Sequence, residues 1–330
     1  MTHFLLLAGK VSMHKGDFLR ERLQTDWRIE ACDPATDPET FARFAPEADA
    51  MVGGHIAGPW PATPKLKLFQ IPFTGFDFLT PDVLPSGCIA CNTYEHETSI
   101  AEYILLTMLE WEIGLSKTRA EFTAKSWNGK GPAQSPVHGE VRGKTVGIVG
   151  YGHIGHEVAV RARAFQARVI GIGRRERETP PELDWYGTTD RLGDLYTEAD
   201  YVIVCAPLND QTKGMIGTEQ FRAMKPTAFI VNVGRGPIID EDALYTALST
   251  GQIGGGAIDV WYQYPSNDDP NPWPSKHPMQ DLDNLIMTPH NSGWTQEQID
   301  RRWTFVAANL DRLARGEAPL NPIMEGTREA

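Results

Sequence analysis

Four short segments of this 330-residue chain hold the side chains best suited to chemistry. "NVGRGPIID" carries Arg235 between two glycines at the end of an apolar run, where a guanidinium can grip a carboxylate and polarise a carbonyl. "MTPHNSG" carries His290, whose imidazole titrates near neutrality and can give or take a proton. "GAIDVWYQYP" sets Asp259 among small and β-branched residues, where an unpaired carboxylate is costly, so a specific contact is expected; Tyr264 follows five residues on. "TVGIVGYGHIGHEV" has Gly150, Gly152 and Gly155 in G-x-G-x-x-G spacing. It follows a strand-like run and opens a helix with Ile154, Val158, Ala162 and Phe165 at its apolar positions. In that setting the first two glycines let the backbone turn and approach a pyrophosphate. The third lets the helix pack close, with its amino-terminal amides facing the phosphates.

The residues after the next strand-like run bear on which dinucleotide such a loop takes. An NAD site usually sets an acid about 20 residues beyond the loop, to hold the ribose hydroxyls. Here the run is "VIGIGRRERE": Gly173, then Arg174 and Arg175, with Arg177 beyond and Glu176 and Glu178 interleaved. Loss of the acid removes repulsion, and the two guanidiniums of Arg174 and Arg175 can pair with a 2′-phosphate. NADP(H) is favoured, with NAD(H) as the alternative.

These segments need a scaffold, and the pattern of the chain supplies one. From Lys144 onward strand-like runs appear at "TVGIVG", "RVIGIG", "DYVIVCAP", "AFIVNVG", "GGGAIDVW" and "NLIMTPH". Helical stretches at 154–166, 218–224 and 240–249 separate several of them, with Thr218 and Asp240 at N-cap positions. Such βα repetition predicts a doubly wound parallel sheet. The first hundred residues alternate "FLLLAG", "WRIEAC", "ADAMVGG", "KLKLFQIPF" and "CIACN" with polar or helical segments, which predicts a smaller parallel α/β unit. "SIAEYILLTMLEWEIGLSK", residues 99–117, predicts a helix buried on most faces. The Gly- and Pro-rich segment 128–144 reads as a crossing between domains. The last helical stretch, "WTQEQIDRRWTFVAANLDRLARG", is expected to return to the first domain.

Composition narrows the classes of partner. Hydrophobic residues at 41% and charged residues at 22% describe an ordinary globular chain. A formal net charge of -12 repels nucleic acid and anionic lipid surfaces. No apolar run approaches the length of a bilayer span, so no membrane partner is expected. "MTHFLLLAGK" lacks a basic stretch before its short apolar core and reads as a first strand rather than a signal peptide. Of Cys32, Cys88, Cys91 and Cys205, the pair in "CIAC" has metal or redox spacing, yet no second pair completes a zinc site. In a strand those two thiols would face opposite ways. No metal is expected, and unpaired thiols suit a reducing cytoplasm.

The chain resembles the D-isomer-specific 2-hydroxyacid dehydrogenase family, which includes glyoxylate/hydroxypyruvate reductases and D-3-phosphoglycerate dehydrogenase. The resemblance covers essentially the whole length: "GKTVGIVGYGHIG", "APLNDQT", "VNVGRGPIID", "GAIDV" and "MTPHNSG" stand in the family's order at close to its spacings. The "GRRERE" segment is similar to that of the NADP-preferring reductases. The resemblance implies an α/β fold of two doubly wound parallel-sheet lobes. A flavodoxin-like substrate domain would occupy 1–98 and 292–330, and a Rossmann-type cofactor domain 99–291, with a homodimer joined through 99–143. It also implies NAD(P)H-dependent reduction of a 2-oxo acid to a D-2-hydroxy acid, with Arg235 holding the substrate and His290 as acid/base. Asp259 would then contact the nicotinamide. Further cofactor contacts fall on Thr74 of "FTGFD", on His153 and Ile154, and on Ala206 and Pro207. The backbone of Val233, Gly234 and Arg235, His290 itself, and Ser292 and Gly293 of the Asn291–Gly293 turn complete them. The substrate carboxylate would meet amides around Thr74 and Gly75.

This chain departs from the family at one telling place. The glutamate that pairs with the family's histidine falls on Tyr264, a position where the formate dehydrogenase branch carries glutamine. A phenol can orient an imidazole, but it cannot stabilise imidazolium as a carboxylate does. Either another acid replaces it, from "PSNDDPNPWPSKHP" or "YEHE" at 94–97, or Tyr264 takes up the role, or it only packs. His96, between Glu95 and Glu97, is a candidate for the substrate pocket or part of a solvated loop. Trp261, Tyr262, Tyr264, Trp273 and Trp294 would admit a larger substrate side chain if they line that pocket. The missing glutamate also raises a formate- or phosphite-type dehydrogenase, or a non-catalytic nicotinamide-nucleotide-binding regulator. Retention of Arg235, His290 and Asp259 favours the reductase.

Overall fold

The structure, a computed structural model, describes residues 2–56, 59–76, 78–134, 137–266 and 269–329. It divides into two units, Met1–Glu95 with Thr295–Ala330, and His96–Trp294. The chain begins in the first unit with β1 (His3–Ala8), α1 (Gly16–Arg22), β2 (Trp27–Cys32), α2 (Pro38–Phe44), β3 (Ala50–Gly53), β4 (Leu68–Gln70) and β5 (Ile89–Cys91). From Phe4 onward β1 is apolar instead of alternating because both faces of its sheet are covered. Leu6 and Ala8 join one buried cluster, Leu5 and Leu7 the other. Cys88 falls on the first of these faces and Cys91 on the second, and burial pushes both thiols up to about 12.

The second unit opens with α3 (Glu97–Ile113) and α4 (Leu115–Lys125). Next come β6 (Thr145–Val149), α5 (His153–Ala164), β7 (Arg168–Ile172), β8 (Trp185–Gly187), α6 (Leu192–Glu198) and β9 (Tyr201–Val204). The unit closes with α7 (Thr218–Ala223), β10 (Phe229–Asn232), α8 (Glu241–Ser249), β11 (Gly255–Ile258) and β12 (Leu285–Met287). α9 (Gln296–Ala314) and β13 (Pro322–Glu325) return to the first unit. There Trp303, Val306, Ala307 and Leu310 of α9 pack with Leu5 and Leu7, and Asp311 accepts the Gln24 and Thr25 amides at 3.0 Å.

Strand order in the first unit is β13-β5-β4-β3-β1-β2, parallel except where β13 runs against β5. Apart from β13 this is the flavodoxin-type order 2-1-3-4-5. In the second unit the order is β12-β11-β10-β9-β6-β7-β8, all parallel. Counted from β6 it is the Rossmann order 3-2-1-4-5-6 with one strand added. The order reverses between β6 and β9, and sheets of this kind bind ligands outside the carboxyl ends of the strands at that point.

Several expectations need correction. The helix expected over 99–117 stops at Ile113, because Gly114 turns left-handed at φ 61 and starts α4. α3 buries Ile100, Ala101, Ile104, Leu105 and Met108 but leaves Leu106 exposed, so one face is covered rather than most. Segment 128–144 lies inside the second unit, and the crossings fall at 95–96 and 294–295. Thr218 is the first residue of α7, whose cap is Gly217 with its N–H donating to the Gln220 side chain at 2.9 Å. Asp240 does cap α8, accepting from the Ala243 amide at 2.9 Å. No described helix is long and apolar enough to cross a membrane.

Candidate active site

β6 ends at Val149 and is followed by Gly150, whose φ of 94 is a left-handed conformation that glycine adopts cheaply. A Cβ there would lie 2.6 Å from the Ala206 Cα, so the loop presses on the chain leaving β9. A Cβ at Gly155 would come 3.0 Å from Ile148 Cγ2, which shows how closely α5 lies on β6. Gly152 differs, since a Cβ there would meet nothing within 4 Å. No side chain caps α5, and the first amides of a helix have no acceptor within it. A tight turn and an open face where a helix starts at the switch point suit a pyrophosphate.

Beyond β7, Arg174 and Arg175 are exposed, and neither forms an ion pair among the described residues. Arg177 is engaged. Its guanidinium lies over the rings of Tyr151 and Tyr186, 4.8 and 4.5 Å from their centroids, and donates to the Tyr151 carbonyl. Tyr151 donates its phenol to Glu182, which also bonds His156 Nδ1. Arg177 therefore belongs to the wall, and the two arginines before it are open to a ligand.

Arg235 stands where β10 ends. The Asn232 side chain accepts from the Gly234 amide and donates to the Arg235 carbonyl, both at 3.1 Å, which closes the turn. A Cβ on Gly234 would lie 2.6 Å from the Ala206 carbonyl oxygen, and one on Gly236 2.5 Å from the Trp261 carbonyl carbon. Both glycines of "GRG" are thus needed to hold the arginine between the chains leaving β9 and β11. The guanidinium donates to the Gly234 carbonyl at 2.8 Å and meets no carboxylate among the described residues. Its charge remains available for an anion.

Asp259, only 1% exposed, is satisfied by the turn that carries the histidine. One oxygen accepts from the Thr288 hydroxyl at 2.6 Å and the Asn291 amide at 3.0 Å. The other accepts from the Ser292 amide at 3.1 Å and its hydroxyl at 2.5 Å. Those four donors fill the carboxylate's acceptor sites. The bonds flank His290, which sits at φ 57, a conformation that costs a side-chain-bearing residue roughly 1–2 kcal/mol. Thr288 did not stand out in the sequence, and Trp261, read there only as a pocket aromatic, donates its indole N–H to the Thr288 carbonyl at 2.8 Å. The parallel register that pairs Ile258 with Met287 brings Thr288 level with Asp259, and that pairing was the available signal.

Tyr264 meets His290. Its phenolic oxygen lies 3.0 Å from His290 Nδ1 and accepts the Trp261 amide at 3.0 Å, while the residue stays 45% exposed. The segment bearing it is anchored at its far end. The Tyr262 and Gln263 amides donate to the Pro274 carbonyl, and Ser275 and Lys276 bond Glu241. Lys276 and His277 bond Asp242, and the His277 ring stacks on Tyr245 at 4.5 Å. No carboxylate hydrogen-bonds to or ion-pairs with His290 among the described residues; Asn267 and Asp268 of the inserted segment lie outside them. Desolvation lowers the His290 pKa from its ordinary value; Asp259 opposes the shift and Arg235 adds to it. Desolvation likewise raises Tyr264, against the Trp261 amide and the Arg235 charge.

The second unit thus lines up Gly150, Ala206, Pro207, Val233–Arg235, Asp259, Tyr264 and His290 on loops at the carboxyl ends of β6, β9, β10, β11 and β12. His96 lies next to Gly293, its Cβ 3.5 Å from where a Gly293 Cβ would be. Thr74 and Gly75 belong to the first unit, where Thr74 donates to the Thr93 carbonyl and accepts from Asn92. The five aromatics do not share one role. Trp261 is core, Tyr262 donates to the Ile239 carbonyl, and Trp273 and Trp294 are 66% and 65% exposed.

The family model described as "D-isomer specific 2-hydroxyacid dehydrogenase, NAD binding domain" matches residues 105–292. The glyoxylate reductase of Thermococcus gammatolerans is 34% identical over 315 residues, covering 92% of this chain and 90% of that protein. The D-3-phosphoglycerate dehydrogenase of Methanocaldococcus jannaschii is 32% identical over 262 residues, which are 78% of this chain but only 48% of that protein. The crystal structure of a D-isomer specific 2-hydroxyacid dehydrogenase family protein from Aeromonas salmonicida superposes with a TM-score of 0.79 at 26% identity. It covers 98% of this chain and 99% of its own. Motif, sheet order and these matches agree, and the chain belongs to the D-isomer specific 2-hydroxyacid dehydrogenase family.

Proposed function

We propose that this protein is a reductase of small 2-oxo acids that prefers NADPH, of the glyoxylate/hydroxypyruvate type. The observation that carries the reading is the second unit's own edge: a guanidinium at Arg235 with no carboxylate partner among the described residues, on the same carboxyl edge of the sheet as His290 and as Gly152 with its open space. In this reading Gly150, Gly152, His153, Ile154 and Gly155 hold the pyrophosphate, and Arg174 and Arg175 take the 2′-phosphate. Ala206, Pro207, Val233, Gly234, Ser292 and Gly293 line the nicotinamide side. His96 borders the substrate. When bound, a dihydronicotinamide supplies the hydride. Arg235 binds the carboxylate and polarises the carbonyl, and His290 delivers the proton to the carbonyl oxygen. Asp259 holds the His290 turn in place through its four bonds and borders the nicotinamide.

The chain further fits a cytoplasmic homodimer joined through 99–143. Exposed Leu115, Phe122 and Trp127 on and after α4 support that surface, and the buried free thiols of Cys32, Cys88 and Cys91 support a reducing compartment. The test is a spectrophotometric panel: NADPH and NADH, each with glyoxylate, hydroxypyruvate, pyruvate, phenylpyruvate and 2-oxobutyrate, and formate in the reverse direction. Turnover of at least one 2-oxo acid, faster with NADPH, is expected. Formate oxidation with no 2-oxo acid turnover would overturn the reading.

A further inference from the structure

We infer that Tyr264 is a positioning residue that holds neutral His290 in the tautomer protonated at Nε2, the reverse of what a carboxylate at this place would select. The argument is a count of protons. The Tyr264 oxygen already accepts the Trp261 amide at 3.0 Å, and a phenol has one hydrogen to give. The nearby group best able to accept it is the sp² nitrogen His290 Nδ1, 3.0 Å away. With Nδ1 accepting, the single proton of the neutral ring must reside on Nε2. A carboxylate cannot donate; it would draw the proton to Nδ1 and leave a lone pair on Nε2.

The surroundings reinforce this choice. Asp259 cannot compete for the ring, since its four acceptor positions are filled by Thr288, Asn291 and Ser292. Arg235, the charged group on the β10 loop, offers no acceptor. Trp261 is fixed by its indole bond to the Thr288 carbonyl, so the donor that occupies the phenolic oxygen does not move away. The anchoring of residues 274–277 on Glu241 and Asp242 holds the segment that carries Tyr264.

The consequence rests on the reductase reading above. An uncharged ring with hydrogen on Nε2 still donates a hydrogen bond to the carbonyl oxygen of a 2-oxo acid. Binding of that substrate therefore persists after the ring has lost its charge, while proton delivery declines. The opposite tautomer would turn a lone pair toward the carbonyl oxygen.

The direct test uses the unliganded full-length protein with 15N-labelled histidine. Long-range 1H–15N spectra are taken above the pH at which His290 loses its charge, with His290→Gln identifying the resonances. Wild type should show a protonated Nε2 and an unprotonated Nδ1; Tyr264→Phe should show a mixture, and Tyr264→Glu the reverse pattern. A protonated Nδ1 in wild type, or a pattern indifferent to Tyr264→Phe, overturns the inference. In kinetics, wild-type KM for the 2-oxo acid should stay within about twofold as kcat falls with rising pH. In Tyr264→Glu, KM should rise about tenfold once its histidine loses charge, the worth of one hydrogen bond. A correct tautomer in a protein that reduces no 2-oxo acid would reject the reductase reading and leave the tautomer assignment standing.

Discussion

Gly150 and Gly152 are two residues apart, yet the structure assigns them opposite sensitivities. Gly150→Ala would place a methyl 2.6 Å from the Ala206 Cα at φ 94. The left-handed conformation costs roughly 1–2 kcal/mol and the overlap with backbone about 1–3 kcal/mol, together about 2–5 kcal/mol. Gly152→Ala meets nothing within 4 Å and has φ -122, so its folded state bears no such overlap. Restricting the unfolded chain should leave it neutral or more stable by up to about 1 kcal/mol. The same methyl, however, would stand where a pyrophosphate must approach the backbone. The assay pairs urea denaturation with titration of NADPH and NADH, followed by quenching of tryptophan fluorescence. Gly150→Ala should unfold at lower urea. Gly152→Ala should unfold like wild type but bind either coenzyme at least about tenfold more weakly, about 1.4 kcal/mol. A stably folded Gly152→Ala with undiminished affinity would refute the assignment of the open face to the phosphates.

Arg174→Ala should weaken NADPH about ten- to a hundredfold while leaving NADH nearly unchanged, because one charge-assisted bond to a 2′-phosphate is at stake; equal losses with both coenzymes would reject that contact. Asp259→Asn should cost about 2–3 kcal/mol, since the amide cannot accept from the Asn291 amide and the buried Ser292 amide together. Faster hydrogen exchange at 291–292 reports it. Reduction needs a charged imidazole, and the His290 pKa is lowered, so activity should fall as pH rises through a value below the ordinary 6.5. Tyr264→Glu adds an anion that favours the charged ring, so that fall should move to higher pH by about one unit or more, and an unmoved limb in the pH–rate profile would count against the pairing.

Much of this protein was legible in one dimension. The βα alternation after Lys144, the glycine spacing and the missing ribose acid are local features, written in short-range preferences for strands, tight turns and helix starts, so they survive without tertiary knowledge. Arg235 and His290 were marked as candidates by the family's motifs around "GRG" and "TPH", with each in a turn directly after an apolar strand. The stop at Gly114 was harder to read, because apolar residues continue past it and only the left-handed φ breaks the helix.

What the fold alone decided is who meets whom. Asp259 and the 288–292 turn lie about 30 residues apart and meet because β11 and β12 pair in register; nothing local says that four donors converge on that carboxylate. The sequence singled out Arg174 and Arg175 and set Arg177 beyond them, but only the fold shows what engages the third, the rings of Tyr151 and Tyr186. Tyr264 was a bare substitution in the sequence. Its partners, the Trp261 amide and the His290 ring, are chosen by how the inserted segment is anchored, and hydrogen-bond direction depends on such placement rather than on residue type.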